Sequence, residues 1–210
     1  MSYSLNTIIL VPLSKKKAKS AVILCHGYGG DGKDISILAN YWRAHLPNTI
    51  FICPDAPEKC AESPTGFQWF DLMDQKPDQV LSKSLVAESK LNKLIDEVKD
   101  KNNLLANQIV IGGFSQGCMI SLQTGIKRKD TIGGILGYSG RIIDTEHLEK
   151  NTAVSPRSRL LRYWMIFLAP LQIFPIGLLR LLLFKIQFLI LDSSPTNYFR
   201  MQYTTTVRYF

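Results

Sequence analysis

Histidine is scarce in this 210-residue chain: the sequence contains His26, His45 and His147, and none after residue 147. The four cysteines form no C-x-x-C pair, and Cys25, Cys53 and Cys118 lie in or beside apolar segments, which favours buried free thiols in a reducing compartment. A basic segment followed by an apolar one is also missing from the N-terminus, so we expect no secretory signal peptide. These absences favour a cytoplasmic protein.

Acidic residues are almost missing from the last 60 residues, where Asp192 stands against seven basic residues. Residues 1–150, in contrast, hold 18 basic and 16 acidic residues. The net charge of +8 therefore comes mainly from the end of the chain and does not indicate a basic face on the globular part. We expect no nucleic-acid partner.

The end of the chain is also unusually apolar. Residues 163–179 form an uncharged run of 17 residues that includes Pro170 and Pro175. Its length approaches the ~20 residues of a membrane span, but a proline inside a helix costs about 3 kcal/mol. Membrane contact through 160–191 is thus one interpretation, and we favour another, in which the reading frame of the gene shifts near residues 150–156. The sequence predicts a core over 1–150 and an atypical apolar, basic tail over 151–210.

Within the first 150 residues, apolar strands alternate with amphipathic helices. The predicted strands cover 7–13, 21–25, 49–53, 108–112 and 131–138, and the predicted helices cover 34–45, 79–99 and the residues that follow 117. Continuous apolar runs such as 21–25 suit strands that are covered on both faces. The pattern predicts an α/β fold with a mostly parallel sheet, helices on both faces and ligands at the carboxyl ends of the strands.

The pentapeptide Gly113-Phe114-Ser115-Gln116-Gly117 lies between one of these strands and an amphipathic helix. A G-x-S-x-G sequence in that context is typical of a nucleophile elbow, a sharp turn that holds a serine hydroxyl exposed above the sheet. The two glycines leave room for the turn. The pattern predicts Ser115 as a nucleophile, with the Gln116 N–H beside it as a donor to a developing oxyanion.

Three further motifs surround the predicted elbow. They are Cys25-His26-Gly27-Tyr28-Gly29-Gly30, Pro54-Asp55-Ala56-Pro57 and Trp69-Phe70-Asp71. The first is a glycine-flanked turn after a buried strand, so the backbone N–H of Tyr28 is a second candidate oxyanion donor. Together with the elbow, and in this order and spacing over 8–140, the motifs resemble the phospholipase/carboxylesterase family of α/β hydrolases, which includes the acyl-protein thioesterases.

The resemblance implies an α/β-hydrolase fold and cleavage of carboxylic esters or thioesters by a Ser-Asp-His triad, without a metal or other cofactor. The implied substrates are small acyl esters or thioesters, lipids or acylated proteins, and a homodimer is also implied. Ser115 matches the nucleophile, and Tyr28 and Gln116 match the oxyanion positions. Trp69 and Asp71 match a motif that borders the site, without a catalytic role.

The sequence departs from the family where the triad should be completed. The stretches that carry the family's aspartate, H-G-x-x-D-x-x-V-P, and its histidine, G-H-x, do not occur after Ser115. We therefore expect a fold that is incomplete at its C-terminal end and an impaired enzyme, because loss of the triad histidine costs on the order of a millionfold in turnover. The alternative is a non-catalytic acyl-binding or membrane-associated pseudo-hydrolase.

A substitute base would have to come from the three histidines. His147, with Asp144 three residues before it, follows the last predicted strand and could reach Ser115, although an ordinary loop histidine is the simpler interpretation. We interpret His26 as part of the oxyanion turn and His45 as a surface residue at the end of a helix.

Overall fold

The computed structural model describes residues 2–73 and 76–146. In chain order, its elements are strands β1 (Thr7–Leu10) and β2 (Ser20–Cys25), helix α1 (Gly32–Trp42), strands β3 (Thr49–Pro54), β4 (Glu58–Lys59) and β5 (Phe67–Gln68), helix α2 (Pro77–Asn102), strand β6 (Ile109–Phe114), helix α3 (Gln116–Lys127) and strand β7 (Gly134–Tyr138). A short 3-10 turn, Ala106–Gln108, leads into β6.

Five of the strands form one sheet in the order β1-β3-β2-β6-β7. All neighbouring strands in it are parallel except β1, which runs antiparallel to β3. The core under α2 includes Ile23 and Ile52, whereas their neighbours Val22 and Phe51 are buried on the opposite face, where α1 packs. The predicted α/β class, with a mostly parallel sheet covered by helices on both faces, is confirmed.

The predicted strand over 7–13 is too long. Strand β1 ends at Leu10, and Val11 and Leu13 are exposed. Pro12 lies between them and has no N–H to donate to a neighbouring strand, which gives the physical reason for the early end.

Helix α1 begins two residues before the predicted start. The Asp31 Oδ1 accepts a hydrogen bond of 2.8 Å from the Asp34 N–H and so caps the first turn. The Gly32 N–H donates to Oδ1 of Asp55 over 2.8 Å, which ties the start of α1 to the end of β3. Through these bonds the Pro54-Asp55-Ala56-Pro57 motif positions the loops at the carboxyl edge of the sheet.

The small β4–β5 sheet was missed in the sequence. Glu58 pairs with Gln68 and Lys59 with Phe67, in an antiparallel arrangement. Strands of two residues are too short to show an alternating pattern. Through Phe67, this hairpin is bonded to the turn formed by residues 26–30, and it leads directly into Trp69 and Phe70.

Strand β7 is the last strand of the sheet within the described ranges, and it begins at Gly134 rather than at 131. All five of its residues are half-buried, whereas every residue of β3 is buried. The predicted tail over 151–210, the stretch over 160–191, Asp192 and the expected incomplete C-terminal end lie outside the described residues, so the division into 1–150 and 151–210 remains a prediction. None of the helices in the described ranges has the length and apolar character needed to cross a membrane.

Candidate active site

Ser115 occupies the turn between β6 and α3 in a backbone conformation that side chains rarely adopt, with φ of 53° and ψ of −115°. Its N–H donates to the Tyr138 carbonyl over 2.8 Å, and its carbonyl accepts from the Met119 N–H over 3.1 Å. The turn is thus fixed on one side by β7 and on the other by the first turn of α3. This geometry is that of a nucleophile elbow.

The elbow glycines are required by a close approach to strand β2. A Cβ atom added to Gly117 would collide with the Cys25 carbonyl oxygen, and one added to Gly113 would meet the same oxygen and the Gly117 backbone. The start of α3 therefore lies directly against the end of β2. Because β2 continues into the 26–30 turn, this contact places that turn beside Ser115.

The 26–30 turn is closed on itself and tied to β5. The Gly30 N–H donates to the Gly27 carbonyl over 3.1 Å, and Gly29, with φ of 76°, donates to the Phe67 carbonyl over 3.0 Å. The Phe67 N–H returns a bond of 2.9 Å to the Gly30 carbonyl. A Cβ added to Gly27 would lie 3.5 Å from the Ser115 Cβ, so the turn passes next to the elbow serine.

Two backbone donors remain at this junction. Among the residues that the structure describes, neither the Tyr28 N–H nor the Gln116 N–H donates to a protein acceptor. Gln116 is the first residue of α3, where N–H groups have no partner within the helix and the helix dipole favours negative charge. Chemically, the arrangement can hold an anionic oxygen above Ser115.

His26 is adjacent to this site, but both of its ring nitrogens are in use. The Ala56 N–H donates to Nε2 over 2.9 Å, so Nδ1 carries the proton and donates to the Gly27 carbonyl over 2.7 Å. Burial lowers the pKa of His26, against the opposing hydrogen bond to Gly27 and the nearby carboxylates. A neutral, fully bonded imidazole serves to hold two loops together and has no free nitrogen to accept the Ser115 proton.

Neither His45 nor the Tyr28 hydroxyl can act as the base in place of His26. His45 follows α1, which runs from the carboxyl edge of the sheet back to the edge where β3 begins, so it lies at the opposite edge from the serine. The interaction with the Cys60 side chain raises the pKa of the Tyr28 phenol to about 12, which keeps that hydroxyl protonated at neutral pH. His147 lies outside the described residues.

Asp144 lies close to the end of α3 that is farther from Ser115. Its Oδ2 is 3.1 Å from the Nζ of Lys127, the last residue of the helix. Lys127 also bonds to Glu88 on α2 over 3.3 Å. Lys127 lies twelve positions after Ser115 along α3, a rise of about 18 Å. The structure therefore places Asp144 in an ionic cluster between α2 and α3 and does not bring it to the serine.

Two thiols lie near the elbow without the properties of nucleophiles. Burial raises the pKa of Cys25 to about 12 and that of Cys118 to about 11. The thiolate is the reactive form of cysteine, so both groups are inert at neutral pH. All four cysteines are buried and free, as the sequence predicts. Within the described residues, no cluster of three histidine, cysteine, aspartate or glutamate side chains could hold a metal ion.

The Trp69-Phe70-Asp71 segment packs beneath the 26–30 turn, on the side that faces the core. Trp69 and Phe70 are completely buried, and the Trp69 indole N–H donates to the His26 carbonyl over 3.0 Å. Asp71 is partly exposed and pairs with Lys83 over 2.8 Å. As the sequence suggests, the motif borders the site.

The side chain of Gln116, which sequence reasoning overlooked, bonds to this segment. Its Oε1 accepts a hydrogen bond from the Trp69 N–H over 2.9 Å, and its Nε2 donates to the Phe70 carbonyl over 2.6 Å.

A comparison to known families shows the family of this chain. A family model described as Phospholipase/Carboxylesterase matches residues 6–165, about three quarters of the sequence. The chain belongs to the phospholipase/carboxylesterase family. The resemblance noted in the sequence is thereby confirmed.

Curated relatives of this family member include two fungal proteins. Acyl-protein thioesterase 1 of Schizosaccharomyces pombe is 33% identical over 148 residues, which are 67% of this chain and 63% of that protein. Acyl-protein thioesterase 1 of Yarrowia lipolytica is 37% identical over 141 residues, 63% of this chain and 62% of that protein. The chain thus spans less than two thirds of the length of the curated relatives it matches.

Solved structures show the same fold. A crystal structure of esterase PE8 superposes with a TM-score of 0.66 and 34% identity, covering 70% of this chain and 68% of that one. The Bacillus cereus carboxylesterase superposes with a TM-score of 0.55 at 17% identity, covering 67% and 62%. At that lower identity the likeness concerns the fold alone. The α/β-hydrolase assignment of the described core is confirmed.

Proposed function

We propose that this family member is a serine hydrolase that cleaves carboxylic esters or acyl thioesters through an acyl-enzyme on Ser115. One observation carries the proposal: Ser115 is held at φ of 53° and ψ of −115° between β6 and α3, with both neighbouring glycines packed against β2. Such a strained conformation persists where the surrounding structure imposes it, and it is typical of functional sites.

In the proposed reaction, Oγ of Ser115 loses its proton to hydroxide or to a substitute base as it forms a bond to the acyl carbonyl carbon, and the carbonyl oxygen takes up the negative charge. The N–H groups of Tyr28 and Gln116 donate to that oxygen. Removal of a single donor of this kind costs about 10²–10³-fold in turnover. Collapse of the intermediate breaks the bond to the leaving group, which departs as a thiolate from a thioester or as a protonated alcohol from an oxygen ester, and water then cleaves the acyl-serine ester.

The proposal includes impaired turnover. A serine hydroxyl is a weak nucleophile unless a base accepts its proton. His26 has no free ring nitrogen and His45 lies at the opposite edge of the sheet. His147 stays a candidate substitute base, whereas Asp144 beside Lys127 is not included as its partner.

An impaired base favours thioesters over oxygen esters. A cysteine-like thiol has a pKa of about 8.5, so it leaves as a thiolate without first receiving a proton. An alcohol needs a general acid, which the described residues do not provide. We therefore include acyl thioesters, small or on lipids or proteins, as the preferred substrate class. The two fungal relatives named acyl-protein thioesterase support this choice.

A second candidate is a binding protein that retains the acyl site without turnover. This candidate is favoured because two N–H groups are available to bind an anionic oxygen, whereas His26 and His45 are not available as bases.

We further propose a cytoplasmic location, supported by four buried free cysteines. A homodimer rests on the family resemblance alone.

The test combines labelling of the folded protein by a fluorophosphonate with hydrolysis of a short acyl thioester. We expect slow labelling and slow hydrolysis by the wild-type chain and neither by Ser115→Ala. Ser121→Ala, a buried serine on the same helix α3, is the matched control and should behave as wild type. Labelling that persists in Ser115→Ala would reject the nucleophile assignment. A folded wild-type protein that neither labels nor hydrolyses, but binds an acyl analogue, would favour the second candidate.

A further inference from the structure

The Gln116 side chain is completely buried and makes two hydrogen bonds to one neighbouring segment. Its amide oxygen accepts from the Trp69 N–H over 2.9 Å, and its amide nitrogen donates to the Phe70 carbonyl over 2.6 Å. Both partners are backbone groups that lie 46 and 47 residues away along the chain. A single side chain thus fixes the main chain of the 69–70 segment to the start of α3.

The same segment holds the other half of the site. The Trp69 indole N–H donates to the His26 carbonyl over 3.0 Å. Two residues earlier, Phe67 exchanges backbone hydrogen bonds with Gly29 and Gly30. The 67–70 segment is therefore bonded to the oxyanion turn on one side and to Gln116 on the other.

We propose that the Gln116 side chain is a positioning residue, which holds the oxyanion turn in register with the elbow through the 67–70 segment. The inference rests on the proposed function and deepens it. The N–H of Gln116 and the N–H of Tyr28 must point at the same oxygen, yet they belong to different segments, whose direct contacts are the packing of Gly117 against the Cys25 and His26 carbonyl groups and of Gly27 near Ser115. The Gln116 amide adds a hydrogen-bonded path through the 67–70 segment to these packing contacts, and hydrogen bonds fix a direction that packing contacts alone do not.

The amide is suited to this role because it offers a donor group and an acceptor group in one plane. A residue with only a donor or only an acceptor would leave a buried backbone group of Trp69 or Phe70 unpaired, which is costly. The two hydrogen bonds also hold the N–H donors in position before the substrate arrives. This matters because small displacements of catalytic donors reduce rates by about 10²-fold.

The key variant is Gln116→Met, which keeps the length of the side chain and the backbone N–H but removes both hydrogen bonds. Gln123→Met is the matched control. Gln123 is also buried on α3, and its amide donates to Glu88 over 3.0 Å, away from the oxyanion turn. Both variants should unfold at somewhat lower temperature, because each loses buried hydrogen bonding.

Hydrogen exchange measured by mass spectrometry tests the positioning without relying on activity. In Gln116→Met we expect exchange in the 26–30 and 67–70 segments to be about tenfold faster, the effect of losing one or two buried hydrogen bonds. In Gln123→Met, exchange there should match the wild type. Unchanged exchange in 26–30 of Gln116→Met would overturn the inference, even for a protein without activity.

The second readout is the rate of fluorophosphonate labelling at Ser115. Gln116→Met should label about 10²-fold more slowly than wild type at similar probe affinity, whereas Gln123→Met should label at the wild-type rate. The inference would be overturned if the labelling rates of Gln116→Met and Gln123→Met fell equally, each in proportion to the stability that the variant has lost. If Gln116→Met does not fold, Gln116→Glu takes its place, because it keeps the acceptor for the Trp69 N–H. We expect faster hydrogen exchange and slower labelling in that variant too, and the same results would contradict the inference. Absence of labelling in the wild type would count against the proposed function and leave the exchange experiment to decide the positioning role.

Discussion

The Ala56 backbone N–H donates a hydrogen bond of 2.9 Å to Nε2 of His26, across the gap between the loops that follow β3 and β2. This bond requires a neutral imidazole, since a protonated ring has no acceptor nitrogen. The histidine that stands nearest to the elbow in the described core is thus a structural connector. Its engagement explains why the presence of a histidine beside Ser115 does not supply a base.

The same bond predicts a pH-dependent stability. Because burial lowers the pKa of His26 below its unfolded value of about 6.5, the unfolded chain binds the proton more readily than the folded one. The contribution of neutral His26 to the free energy of unfolding is therefore complete above pH ~6.5. It is lost as the pH falls through the lowered pKa of the folded state. Urea unfolding at several pH values should show a smaller loss of stability towards acid for His26→Gln than for wild type. His45→Gln is the control, and equal slopes for His26→Gln and wild type would contradict this assignment.

The strained backbone of Ser115 predicts an unusual effect of glycine. At φ of 53° and ψ of −115°, a residue with a Cβ is strained, and glycine is not. Ser115→Gly should be about 1 kcal/mol more stable than Ser115→Ala, although both remove the hydroxyl. Chemical unfolding of the two variants measures the difference. An alanine variant at least as stable as the glycine variant would show that the turn carries no such strain.

The close approach of α3 to β2 predicts that Gly117 cannot be replaced. Gly117→Ala would drive a methyl group into the Cys25 carbonyl oxygen, so we expect a loss of about 3 kcal/mol or failure to fold. Gly134→Ala is the control, because its added Cβ would lie 4.0 Å from Cγ2 of Val110 in ordinary contact. Thermal unfolding should show Gly134→Ala near wild type or up to about 1 kcal/mol more stable. Similar losses at both positions would argue against the tight elbow.

The proposed lack of an efficient base predicts the shape of the pH–rate profile. If hydroxide removes the Ser115 proton, the rate of thioester cleavage above the Ser115→Ala background should rise about tenfold per pH unit across neutrality. A histidine base would instead give a plateau above its pKa of about 6.5. We expect the continuous rise in wild type and the same profile in His147→Ala. A plateau that disappears in His147→Ala would identify His147 as the base.

Much of the described fold could be predicted because its signals are local. The apolar runs of β2 and β3, the helical stripe of α2 and the glycines around Ser115 each lie within a few neighbouring residues. Strand β1 was predicted too long because apolar residues continue past Leu10, although Pro12 and solvent exposure end the strand. The β4–β5 hairpin escaped prediction because two-residue strands carry no period.

For the site, the sequence by itself determined the family and predicts the nucleophile position and the two oxyanion positions, because the elbow and the glycine turn require particular residues at fixed spacing. The tertiary structure decided the positions of His26 and His45, since hydrogen bonds engage both nitrogens of His26 and the direction of α1 carries His45 to the other edge. The tertiary structure also pairs Asp144 with Lys127 and brings the Gln116 side chain into hydrogen bonding with Trp69, almost fifty residues away. These relationships depend on long-range contacts, which no local pattern encodes.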